Sequence, residues 1–231
     1  MVRLLPIDEK LVERGIYLDF EQALKEEVPQ IAGVMVEREY TCNVVDPRLE
    51  RVAKNRNANR KSERWCYCDA KELVIRLMEK AEDESRRIIG YSTAELETIA
   101  KLVSDKKRIS SLYYNANMAP WFRKRRKTTY KRLVRNKKNE ERWNKKVGLK
   151  DILELEFIDY DYPGDLKGYS PSKALSDMMK FLEERKDYKL VPRGAKTRFT
   201  KLHRYNFHDC AGMKCLLEYR LSRGDKITQI K

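Results

Sequence analysis

Residues 31–39, IAGVMVERE, form a short apolar run that fits either a strand or a buried helix, and periodicity does not separate the two. The segments around it read as helices. Upstream, DEKLVERG (8–15) has the form of a short helix closed by Gly15. DFEQALKEEVP (19–29) has the form of a second, with Asp19 as cap and Pro29 as stop. Downstream, PRLERVAKNRNANRKSER (47–64) has helical ends around an Asn-rich, basic middle.

The pattern strengthens further along. From about Asp69 to Arg87, Leu73, Val74, Leu77, Met78 and Ala81 fall on one helical face with charges opposite. GYSTAELETIAKLVSD (90–105) opens on a capping signal, Ser92 or Thr93 with Glu95, and carries its stripe on Leu96, Ile99, Ala100 and Val103. KKRISSLYYNANM (106–118) is a shorter, less regular element. Pro120 suits the first turn of a long basic helix, 120 to about 146. Helix, capped helix, short element and basic helix in that order resemble the generic layout of tri-helical, helix-turn-helix DNA readers.

Beyond Gly148 the character changes. ILELEFIDYDYPGD (152–165) alternates apolar and acidic residues like a strand ending in a turn, and SPSKALSDMMKFLEERKD (170–187) is a capped helix. YKLVPRG (188–194) and KTRFTKLHRYNFHD (196–209) read as extended, and AGMKCLLEYRLSRG (211–224) as a closing helix. The expected fold is therefore mainly α with a smaller C-terminal α+β part. A helical nucleic-acid-binding region spans 1–147, with its basic unit at 70–146, and a stabilising or partner-binding domain spans 148–231.

Charge points to a partner. The net charge is +15, and residues 101–150 alone carry +15 while the first fifty carry −5. So concentrated a field attracts a polyanion. Within the basic helix, Phe122, Tyr130, Leu133 and Val134 would dock one face. Arg123, Lys124, Arg125, Arg126, Lys127, Thr128, Lys131, Arg132, Arg135 and Lys138 would meet phosphates or bases. Arg56, Arg60 and Lys61 of the Asn-rich segment form a second basic contact. The function expected is a nucleic-acid-binding protein, a DNA-binding regulator or accessory factor, with DNA preferred to RNA. An RNA- or ribosome-associated protein is the first alternative and a metal-dependent nuclease the second.

No residue is read as catalytic, and no cofactor or bound metal is expected. Two constellations stand as lesser options. Cys66 and Cys68 with His203, His208, Cys210 and Cys215 contain zinc-ligand types, but not at the spacing of a zinc motif. Asp159 and Asp161, two apart on the expected strand, would share a face and a Mg²⁺. The C-terminal part offers a surface for a protein partner or a second copy. No apolar run is long enough to span a bilayer, and the N-terminus does not read as a signal peptide. The odd cysteine count without regular spacing suits reduced thiols, so a cytoplasmic or nuclear protein without a membrane partner is expected.

Overall fold

A computed structural model describes residues 6–59, 64–136 and 147–223. It resolves the ambiguity of IAGVMVERE in favour of a strand, and that choice reorganises the N-terminal half. After a short helix α1 (Glu9–Arg14), the chain runs β1 (Ile16–Glu21), β2 (Ile31–Val36) and β3 (Glu39–Val44) as an antiparallel meander. Helix α2 (Glu50–Asn59) then leads to β4 (Trp65–Tyr67), and α3 (Ala70–Asp83) to β5 (Ile88–Gly90). Helices α4 (Thr93–Val103) and α5 (Lys106–Leu112) lead to β6 (Tyr113–Asn115). The six strands form one mixed sheet in the order β4-β3-β2-β1-β5-β6, with β4, β5 and β6 each parallel to its neighbour. Parallel neighbours require crossover connections, and the helices supply them.

Among the described residues five α-helices follow: α6 (Ala119–Arg125), α7 (Lys127–Asn136), α8 (Leu149–Leu153), α9 (Pro171–Arg185) and the 30-residue α10 (Arg193–Ser222). The sheet is covered on both faces. Ile16, Leu18, Val34 and Ile88 pack with Leu73, Val74, Met78, Ile99 and Ile109 of α3–α5. Tyr17, Met35 and Ile89 pack on the opposite side with Met213, Leu216 and Leu217 of α10. A third cluster joins Val44 and Trp65 to Leu175, Met178, Phe199 and Leu202.

This layout corrects the expected one: the sheet lies in the N-terminal half, and among the described residues no strand follows Asn115. The cause is double burial. Strands covered on both faces read as continuous apolar runs rather than alternating ones, so β1 and β2 lack the signature of a half-buried strand. The helices of the expected tri-helical unit exist, and α4 begins at the Ser92–Glu95 capping box. Their stripes pack on the sheet, however, with β5 and β6 between them, so no helix-turn-helix forms.

Three further segments differ. The long basic helix is broken at Arg126 (φ −135°, ψ 61°) into α6 and α7. The alternation of ILELEFIDYDYPGD arises from the end of α8 and a series of tight turns, with Leu155 N donating to Ile152 O and Ile158 N to Leu155 O. Residues 193–209, read as extended, are the first half of α10. Its inner stripe includes the polar Asn206 and Asp209, which hide the helical period. Because α10 packs on Tyr17 and Met35, one core joins chain from both sides of residue 148.

Candidate metal centre

Asp19 and Glu21 stand two residues apart on β1, and alternate strand residues share a face. That face, which also carries Tyr17, looks toward α10. One turn of α10 presents Asn206, Asp209 and Cys210 inward, all buried. The strand and the helix thereby converge three carboxylates: Asp19, Glu21 and Asp209 offer oxygens that all lie within 4.8 Å of one another.

The backbone is shaped for this approach. Asp19 pairs across the ladder with Gly33, and a Cβ at Gly33 would lie 1.3 Å from Asn206 Oδ1. Without a side chain there, Asn206 sits flat on the strand. Its Nδ2 donates to Asp19 Oδ2 (2.5 Å) and to the Asp19 carbonyl (3.2 Å), while its Oδ1 accepts from Tyr40 Oη (2.9 Å). Cys210 Sγ donates to the carbonyls of Tyr17 and Gly33, locking the next position of α10 to the same two strands. Asn206 thus orients Asp19, and the helix register brings Asp209 in beside it.

Burial makes the cluster electrostatically unsettled. Desolvation, reinforced by Glu21, Asp209 and Glu95, raises the Asp19 carboxyl well above its ordinary range, with Lys150 opposing. Glu21 is pushed up to about 8, mainly by desolvation and then by Asp209. Asp209 rises to about 6 by desolvation, with Lys150 holding it down. Asp209 is only 8% exposed, and its buried Oδ1 has no hydrogen-bond partner. Buried polar atoms are normally paired, so this oxygen is open to a further donor or a cation. The buried Tyr162 hydroxyl is likewise unpartnered and lies within electrostatic reach of all three acids.

Two charged side chains complete the surroundings. Glu95 acts on Asp19 and Asp209 from the start of α4, where its Oε2 accepts from Ser92 N and Oγ at 2.9 Å each. Lys150 Nζ lies 3.6 Å from Asp209 Oδ2 and 3.4 Å from the centre of the Tyr205 ring.

The residues singled out in the sequence lie elsewhere. Arg123, Lys124 and Arg125 are exposed on α6, as are Lys127, Thr128, Lys131, Arg132 and Arg135 on α7. Arg126 is half-buried at the junction, with its guanidinium 4.7 Å over the Phe157 ring. Arg56 falls in α2; Arg60, Lys61 and Lys138 lie outside the described residues. The α6–α7 pair is fastened to the last turns of α10: Trp121 and Phe122 both pack against Tyr219. Asp209 lies ten residues earlier on that helix, about 15 Å at the helical rise.

Asp159 and Asp161 are exposed in the turns after α8, outside the acidic cluster. The cysteines and histidines do not gather either. Cys210 faces β1 and β2, His203 lies against Tyr40 and Trp65, and Cys215 Sγ donates to Asp159 O. Among the described residues, the carboxylate trio is the one group with metal-ligating geometry. No helix of these residues is long and apolar enough to cross a membrane. Comparison with protein-family models, curated proteins and solved structures finds no match to the chain.

Proposed function

We propose that this protein is a metal-dependent phosphodiester hydrolase acting on nucleic acid. The observation that carries the reading is the convergence of half-buried Asp19 with buried Glu21 and Asp209, one Asp209 oxygen being unpartnered. Carboxylates crowded together out of water either hold protons or share a cation, and an all-oxygen donor set suits Mg²⁺ or Mn²⁺. Cations held so would supply a metal-bound water as nucleophile and offset the charge that develops on a phosphoryl group. The chain's own part is to hold the carboxylates. Asn206 fixes the Asp19 oxygen, the β1 backbone sets the Asp19–Glu21 spacing, and α10 delivers Asp209.

The basic surface supports a polyanionic substrate. Exposed Arg and Lys of α6 and α7 would hold the backbone of a strand whose scissile phosphate reaches the cluster. The span of about 15 Å along α10 is of the order of a few nucleotides. The non-enzymatic DNA-binding regulator shares that surface, but it gives no reason for three carboxylates to converge.

The test is incubation of purified protein with end-labelled single-stranded and duplex DNA and RNA, with Mg²⁺, Mn²⁺ or EDTA. The hydrolase reading expects metal-dependent shortening of at least one polymer. Binding to all of them with cleavage of none would return the protein to the regulator class.

A further inference from the structure

We infer that Lys150 is a catalytic residue of this centre, its ammonium donating to a non-bridging oxygen of the scissile phosphate. The inference rests on the hydrolase reading and adds a residue to it.

Three features place Lys150. It lies on α8, whose start is pinned by Gly148 N donating to Asp151 Oδ2 (2.6 Å) and whose Leu149, Ile152 and Leu153 are buried. α8 seats on α10 at Gly212, where a Cβ would come 2.5 Å from Leu153 Cδ1. Gly212 is three residues, about one turn, beyond Asp209, so this seat sets Lys150 beside the carboxylates. Finally, Nζ lies over the faces of two tyrosines of the same wall, 3.4 Å from the Tyr205 ring centre and 5.6 Å from that of Tyr162.

The ring contacts separate this lysine from a simple counter-ion. Its charge acts on Asp19, Glu21 and Asp209 alike, so it partly neutralises the cluster when no cation is bound. A divalent cation held by Asp19, Glu21 and Asp209 would compete with the ammonium for Asp209. Tyr205 and Tyr162 then keep Nζ at the wall, where the attraction of a cation for a ring face persists. The anion that arrives in that space is the substrate phosphate. As the water oxygen–phosphorus bond forms and the phosphorus–ester oxygen bond breaks, negative charge grows on the non-bridging oxygens. The ammonium hydrogen-bonds to that charge and keeps its protons, while the attacking water releases a proton to solvent and the leaving oxygen takes one from it.

The experiment compares wild type, Lys150→Met and Lys150→Arg. It measures Mn²⁺ affinity by calorimetry, thermal unfolding, and cleavage at saturating Mn²⁺ of a labelled oligonucleotide that wild type cuts. Removal of a competing cation makes Mn²⁺ bind several-fold more tightly to Lys150→Met. Loss of a transition-state contact lowers kcat by ~100-fold, with partial recovery in Lys150→Arg. A structural lysine would move both quantities downward together, and that outcome overturns the inference, as does an unchanged kcat. If wild type binds Mn²⁺ but cuts no nucleic acid, the hydrolase reading itself fails and the inference falls with it.

Discussion

Gly33 and Asn206 share one volume: a Cβ on the first would lie 1.3 Å from the side-chain oxygen of the second. The contact ties the middle of β2 to α10 and, through the Asn206 amide, aims Asp19 at its acidic neighbours. The candidate centre therefore depends on a residue that bears no functional group.

Gly33→Ala is expected to destabilise the protein by about 1–3 kcal/mol, because a backbone-mounted methyl cannot move aside and Asn206 must. Mn²⁺ affinity should fall as well, since Asp19 loses its orienting donor. Thermal melts and Mn²⁺ calorimetry check both. Asn206→Ala tests the same link from the other side: it strands Tyr40 Oη and the Asp19 oxygen, at about 1–3 kcal/mol.

The raised carboxyls make an unusual prediction about pH. Glu21 titrates at about 8 and Asp209 at about 6 in the fold, both above their unfolded values near 4. Between those limits the folded state binds more protons than the unfolded one, so stability falls as pH rises. The metal-free protein is expected to lose Tm steadily between pH 5 and pH 8. Saturating Mn²⁺ should remove most of that loss, and Asp209→Asn should flatten it without metal. A Tm that rises steadily over this range in EDTA would show that the cluster is not charged against its burial.

Glu95 separates capping from charge. Glu95→Gln retains a side chain able to close the capping box, so Tm should change little, while Mn²⁺ affinity drops about tenfold with the lost charge. Ser92→Ala should do the reverse, costing about 1 kcal/mol of stability with metal binding intact. Equal effects of the two variants on Mn²⁺ affinity would remove Glu95 from the centre.

The basic segment divides at Arg126. Replacing Arg123, Lys124, Arg125 and Lys127 by Ala should weaken nucleic-acid binding and reduce the log–log salt slope by about 3, leaving Mn²⁺ affinity unchanged. Arg126→Ala should instead cost roughly 1 kcal/mol of stability, because its guanidinium lies over Phe157. Anisotropy over a salt series and thermal melts distinguish these two kinds of arginine.

These contrasts show what the sequence makes legible. Local signals held: the Ser92–Glu95 box starts α4, and the stripe from Leu73 to Ala81 is the buried face of α3. Signals that depend on burial misled. Asp19-Phe20-Glu21 has the composition of a helix start, and only the strand gives its two acids a common face. Asp209 comes 190 residues after Asp19, and nothing local pairs them. Two clues were present: a glycine inside the apolar run IAGVMV, which signals close approach of another group, and Asn206 and Asp209 at inward positions of a mostly apolar helix face. Charge density drew attention to α6 and α7, because charge is visible in composition and convergence is not.

The most direct test is calorimetric titration of Mn²⁺ into wild-type protein and Asp209→Asn at pH 7, in two buffers of different ionisation enthalpy. Proton-holding carboxyls must release protons to bind a cation, so the wild-type heat should differ between buffers. Binding should be lost or weakened at least tenfold in the variant, with its fold intact by thermal melt. The same Mn²⁺ affinity in both proteins, or no binding to wild type, would contradict the assignment of Asp19, Glu21 and Asp209 as a metal centre.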